Sequence, residues 1–219
     1  MDFWKMSAWQ IFKAGGPLMW PILLCSIFAM AITMEKLLHL HKIRIDVKGF
    51  LDSVIEKLKH ANVKEAVSIC EKTNAPVSNI LKAGILKYNA SRDEIKEAME
   101  DASLYEVPRL EKNLSALATI AHISPLLGLL GTVTGMVRAF QVIQVKATSL
   151  NPVSPGDLAG GIWEALLTTV AGLMVAIPTY VAYNFFVSRV NSIIVNMERA
   201  ATELVNFITQ HSGLARKKE

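Results

Sequence analysis

The chain has 219 residues, 52% of them hydrophobic and 19% charged, with a formal net charge of +4. Its basic residues are interleaved with acids and lack a stacking aromatic platform, which excludes a nucleic-acid patch. The charges are segregated along the chain, and the uncharged runs between them reach the roughly 20 residues that a helix needs to cross a bilayer core of about 30 Å.

The first such run, Ala14–Met34, is bounded by Lys13 and Glu35 and contains 21 residues. It is too long for the apolar part of a cleaved signal peptide, and no small-x-small site follows it. The next segment reads as helix. Val47, Leu51, Val54, Ile55 and Leu58 fall at helical spacing within Ile43–Val67, with charges between them. A turn around Thr73–Pro76 ends that helix. Ser91-Arg92-Asp93-Glu94 has the form of a capping box that opens another, and Pro108 is expected to kink or interrupt it.

Asn113–Val137 is the second uncharged run, 25 residues in which His122 is the one titratable group. His122 has two readings, packing against a neighbouring backbone or proton relay. Gly128, Gly131 and Gly135 fall at i, i+3 and i+7, a small-residue face that lets another helix approach closely; Thr132 borders it. The third run follows Glu164, since Ala165–Ser188 gives 24 residues without a formal charge. Ala165, Thr169, Gly172 and Ala176 make a second small face on it. Such faces suit either tight packing or a narrow hydroxyl-lined pore, and a helical threonine can also satisfy itself on its own backbone.

Glu164 invites two readings as well. A carboxylate near a span costs about 2.5–3.5 kcal/mol at mid-membrane and normally faces protein or water, which points to a polar path. Alternatively it ends the helix at headgroup level, although Asp157 offers an N-cap about two turns earlier. Beyond the third run an apolar stripe (Val190, Ile194, Met197, Ala201, Leu204, Ile208) continues, so one helix is expected from Leu158 to about Gln210. That stripe needs cover from the inner helices or from further copies of the chain.

Orientation follows from Lys and Arg near the span ends. Lys36, Lys42, Arg44 and Lys48 follow the first span, Arg189 and Arg199 follow the third, and neither residue type occurs between Thr148 and Trp163. The expected layout is a short outer N-terminus (1–13), a first span (14–35), an inner helical domain (36–112), a second span (113–143), an outer loop (144–157), a third span (158–188) and an inner helical tail (189–219). The fold class is therefore an all-α integral membrane protein with three transmembrane helices and long inner helical extensions. Trp4, Trp9, Trp20 and Trp163 then fall near the outer interface, which suits their amphipathic rings.

Nothing in the sequence reads as enzyme chemistry: there is no phosphate-binding glycine loop, no metal-ligand spacing and no nucleophile with a base. Cys25 lies in the first span and Cys70 in the inner segment, so both read as lone packing thiols.

SPLLGLLGTVTGM at Ser124–Met136, followed by GIWEALLTTVAGLMVAIPTYVAYNFF at Gly161–Phe186, closely resembles the ExbB/TolQ/MotA family of ion-driven membrane motors. AGGPLMWPILL at Ala14–Leu24 is similar to the first span of ExbB-type members. The resemblance implies a homopentamer around a dimer of a single-span ExbD/TolR-type partner whose membrane aspartate takes up and releases the ion. It implies no bound cofactor, with protons (alternatively sodium) as the coupling ion, membrane lipid around the assembly, and work delivered to a TonB-like protein for outer-membrane transport. A TolQ-like role in envelope maintenance and a motility stator are the alternatives. Residue by residue, the family's lumen threonines fall on Thr132 and Thr169, its outer acidic residue on Glu164, and Pro178 and Asn184 match the pattern. Thr168, beside the lumen position, is expected on the same proton pathway as Thr132, Thr169 and Glu164, although Thr168, His122 and Pro108 depart from the family pattern. Assembly of the pentamer through the small faces is a further expectation.

Overall fold

The computed structural model describes residues 7–147 and 154–216. Among these residues the chain is entirely helical: α1 (Ala8–Ala14), α2 (Met19–Lys42), α3 (Val47–Lys59), α4 (Val63–Lys72), α5 (Pro76–Leu86), α6 (Arg92–Glu111), α7 (Leu114–Ala147) and α8 (Pro155–Arg216). Three stretches, Met19–Lys59, Arg92–Lys146 and Leu158–His211, contain windows long and apolar enough to cross a membrane. The centre of the expected outer loop and the last three residues lie outside the described residues. The chain divides into two compact units: one of residues 1–35 and 113–185, the other of 36–112 and 186–219.

In the first unit, α1 is opened by a capping box between Ser7 and Gln10. The apolar run beginning at Ala14 is not one helix, because Gly15-Gly16-Pro17 separates α1 from α2 and Gly16 sits at φ +74°. That left-handed backbone is open to glycine at little cost. Trp9 stacks on Phe12 at 5.7 Å, and Phe12 meets Trp20 edge-on at 5.1 Å. Along α2, Leu24, Ile27, Phe28, Met30 and Met34 are all exposed, as a lipid-facing helix requires. At the start of α7, Asn113 has φ 65°, and its Nδ2 donates to Glu35 Oε2 at 2.7 Å.

The second unit buries α3–α6 as a chain of neighbours, each packed on the next. The expected helix over Ile43–Val67 is two helices. Ala61 takes φ 55°, and Asn62 caps α4 by accepting from the Glu65 amide at 3.2 Å. The capping box at Ser91 is formed, with both reciprocal bonds to Glu94. Pro108, by contrast, does not interrupt α6, which runs on to Glu111. The carbonyl that it strands belongs to Leu104, which is exposed like Pro108 itself, so solvent can satisfy it. Lys36 is nearly fully buried, and its Nζ donates to Leu110 O at 2.8 Å. That places a cation on the carbonyl-rich end of α6, where orphan acceptors and the helix dipole both favour it. Val190, Met197, Leu204 and Ile208 of the apolar stripe are buried. Its other members, Ile194 and Ala201, line a groove with Ile80, Met99 and Val107, and Arg92 Nη2 donates to Asn206 Oδ1 at 3.0 Å. The stripe thus finds its cover within the chain.

Cys70 lies in this unit, only 1% exposed. Burial pushes its thiol from 9.0 up to about 11, with Glu71 adding to the rise and Lys82 opposing it. The folded state therefore holds this proton more firmly than the unfolded chain. The associated stability is complete below about pH 9 and declines as pH rises from 9.0 toward about 11. Maleimide at neutral pH should modify Cys70 about 100-fold more slowly than an ordinary thiol, and at the ordinary rate once the chain is denatured. Equal rates before and after denaturation would show that the thiol is not buried.

Candidate functional site: the paired faces of two spans

The two small-residue faces read from the sequence meet each other within one chain. A methyl group placed on Gly172 would lie 2.6 Å from Ser124 O, and one on Gly128 would lie 3.0 Å from Thr168 O and Thr169 Cα. One placed on Gly135 would lie 2.7 Å from Gly161 O and 2.9 Å from Ala165 Cβ. The pairings 124–172, 128–168 and 135–161 run in opposite directions, so α7 and α8 are antiparallel. Gly131 closes against the Thr168 side chain, which is 1% exposed. In a membrane, where lipid is as apolar as leucine, such backbone approach supplies the packing that holds two helices together. The assembly expected through these faces therefore needs other surfaces, because α7 and α8 already occupy them. The apolar side chains at Leu126, Leu129, Val133, Leu166, Val170 and Met174 stand exposed beside them.

Hydroxyl bonding separates the threonines. Thr168 Oγ1 donates to Ala165 O at 2.8 Å, Thr132 Oγ1 to Leu129 O at 2.6 Å and Thr134 Oγ1 to Leu130 O at 3.0 Å, each within its own helix. Thr169 reaches across, its Oγ1 donating to Gly128 O on α7 at 3.1 Å, with Ala165 O of its own helix farther away at 3.4 Å. By helix geometry, that same carbonyl accepts the backbone amide of Thr132 four residues on. The expected lumen threonines are thus joined through one acceptor, with both side chains half-buried. Each hydroxyl proton is committed to a carbonyl, which leaves the oxygen lone pairs as the groups offered to a visitor.

Glu164, 20% exposed at its side chain, forms an ion pair with Arg138 of α7. Its carboxyl group also occupies the space that a side chain at Gly16 would need. The sequence pattern alone does not pair Glu164 with a residue so far along the chain. Arg138 and Glu164 are, however, the charged residues that close the facing ends of the two uncharged runs, and an antiparallel hairpin brings those ends together. His122 Nδ1 lies 2.7 Å from Ala118 O, so that nitrogen carries the proton, and the ring meets Tyr180 edge-on at 6.0 Å. Pro178 lies within α8 without ending it, and Asn184 Nδ2 donates to Tyr180 O at 3.1 Å. Among the described residues no His/Cys/Asp/Glu group has the arrangement of a metal site.

The description "MotA/TolQ/ExbB proton channel family" matches residues 72–199, more than half of the chain. The biopolymer transport protein ExbB homolog of Methanothermobacter thermautotrophicus is 30% identical over 190 residues, 86% of this chain and 66% of that relative. The chain thus spans just under two thirds of that relative's length. The biopolymer transport protein ExbB of Neisseria meningitidis serogroup A is 28% identical over 198 residues, covering 82% of this chain and 87% of the relative. The Tol-Pal system protein TolQ of Haemophilus influenzae is 43% identical over 97 residues, covering 44% and 40%. With three apolar spans, a matched motif region and relatives of this kind, the chain is a multi-pass membrane protein that belongs to the MotA/TolQ/ExbB proton channel family and is most similar to its ExbB members.

Proposed function

We propose that this chain is the channel-forming subunit of a proton-driven motor. Five copies surround two copies of a single-span ExbD/TolR-type partner, and the motor passes work to a TonB-like protein for outer-membrane transport. The observation that carries the reading is the charge inventory of the spans. Among the described residues, Glu164 at the start of the third span pairs with Arg138, and Glu35 at the end of the first accepts from Asn113, so neither is a spare carboxylate. A titrating group at mid-membrane must then come from another chain, and Thr169 and Thr132, joined at the Gly128 carbonyl, offer it neutral hydroxyls along the way. Protons are the proposed coupling ion, because a neutral hydroxyl lining with no spare carboxylate suits a carrier that crosses protonated. No resident cofactor takes part.

The exposed apolar side chains of α7 and α8 support contacts with lipid, partner or further copies, and Leu86, Leu104 and Tyr105 (64%, 70% and 77% exposed) give the second unit surface for such contacts. Purification with a co-expressed single-span ExbD/TolR-type protein should give a complex whose native mass corresponds to five chains and two partners. A stable monomer in mild detergent would overturn the assembly. The identity to a TolQ over 97 residues favours a second reading, envelope maintenance, and neighbouring Tol genes rather than TonB genes would select it.

The basic residues after the first and third spans support a layout with the N-terminus outside and the C-terminus inside. Single cysteines at Ser149 (outside the described residues) and His60, in a background lacking Cys25 and Cys70, test this. An impermeant thiol reagent applied to intact cells should reach position 149 and miss 60. Labelling of both positions would refute the three-span layout.

A further inference from the structure

Glu164 is held from two sides that the proposed pathway does not explain. Arg138 on α7 forms the ion pair with it, and the turn before α2 is shaped to receive its carboxyl group. Gly16 has φ +74°, and the atoms nearest to a methyl group placed there are Glu164 Oε1, Cδ and Cγ, the last at 3.2 Å. Position 16 therefore excludes a side chain twice over, by backbone conformation and by the carboxyl group that fills the space. One carboxylate on α8 thus touches the first span at its start and the second span near its end. Among the described side chains other charges are sparse there: Lys13 lies in the last turn of α1, Lys146 two turns beyond Arg138 on α7, and the first half of α2 carries none. Lys13 is placed with its Nζ over the Trp9 ring, 5.4 Å from the centroid.

We propose that Arg138 is a positioning residue for Glu164. Its guanidinium fixes the carboxylate over the Gly15-Gly16-Pro17 turn and so latches the outer ends of the three spans at the mouth of the pathway. This rests on the proposed role of Glu164 in that pathway, but the latch has a readout of its own. With the ion pair closed, the carboxyl group seats the turn; with the guanidinium removed, Glu164 is free to swing toward solvent and the turn loses its cover. A planar guanidinium holds a carboxylate in a fixed plane, and lysine keeps the charge without that geometry.

Hydrogen exchange of the peptide covering residues 8–20, measured on the purified assembly, reads the latch directly. Arg138→Gln and Glu164→Gln should each speed exchange in that peptide about tenfold, and the double variant should be no faster than either alone, as expected for two groups acting as one unit. Arg138→Lys, which keeps the charge without the planar geometry, should recover only part of the protection. Peptides of α7 and α8 at the Gly128–Gly172 contact should be unchanged, which separates a lost latch from a loosened fold. Motor-dependent growth is scored in the same variants. Wild-type exchange in Arg138→Gln, or effects of the two substitutions that multiply in the double variant, would overturn the proposal. Exchange that responds as described while Glu164→Gln grows normally would leave the latch standing and remove Glu164 from the pathway.

Discussion

Replacing Gly172 by leucine should cost the membrane-embedded unit its folded form, and replacing it by alanine should already lower its stability by about 1–3 kcal/mol, the range for overpacking a close-packed interior. The reason lies in what surrounds this position. A methyl group there meets Ser124 O at 2.6 Å and the Gly128 backbone at 3.2–3.3 Å, and neither can rotate aside as a side chain can. The two helices must separate instead. Separation breaks the Thr169–Gly128 bond of 3.1 Å and uncovers Ala165, Thr168 and Ala176, which are all buried. Gly160 provides the control, because nothing lies within 4 Å of a methyl group placed there, and Gly160→Ala should behave as wild type. Thermal unfolding in detergent, read together with accumulation in the membrane, checks the contrast. A Gly172→Leu chain that melts with the wild type would show that α7 and α8 do not approach through this face.

Thr169→Val and Glu164→Ala should each abolish motor-dependent growth or uptake while leaving assembly and partner binding intact. Valine nearly matches threonine in shape, so what it removes is the hydroxyl that crosses to Gly128 O. That carbonyl keeps the helical bond from the Thr132 amide, and the structural loss should be no more than about 1 kcal/mol. Glu164→Ala strands Arg138, which is 48% exposed and can turn to water, so again the fold should survive. Thr132→Val should weaken function similarly. Thr134→Val should be mild, because position 134 lies two residues farther along α7 and off the face that carries Thr132. Normal growth for both Thr169→Val and Glu164→Ala would reduce these residues to helix packing.

What was legible in the sequence depended on the range of the interactions involved. The apolar runs showed themselves as spans because length and lack of charge are local properties, and the Ser91 capping box because its two partners lie three residues apart. The break at Ala61 was missed although its signal was local too: Asn62 followed by Glu65 is a helix start. The long apolar spacing before it outweighed that signal. Pro108 stands inside α6 without ending it, since whether a proline ends a helix depends on whether the stranded carbonyl can find water, which is set by tertiary exposure. The small faces were visible as glycine spacing, but periodicity does not say which helix fills a face. Here α8 of the same chain fills the face on α7, through a register fixed by glycines 26 or more residues from their partners. The same register brings Glu164 to Arg138, a pairing that composition hints at and only the hairpin establishes.

Proton entry into proteoliposomes containing the chain with its single-span partner, driven by an imposed membrane potential and followed by a trapped pH dye, tests ion-driven function most directly. Wild-type complexes should acidify the lumen under an inside-negative potential, and Thr169→Val complexes of the same native mass should not. Equal acidification by the two complexes would contradict the proposed path along Thr169 and Thr132.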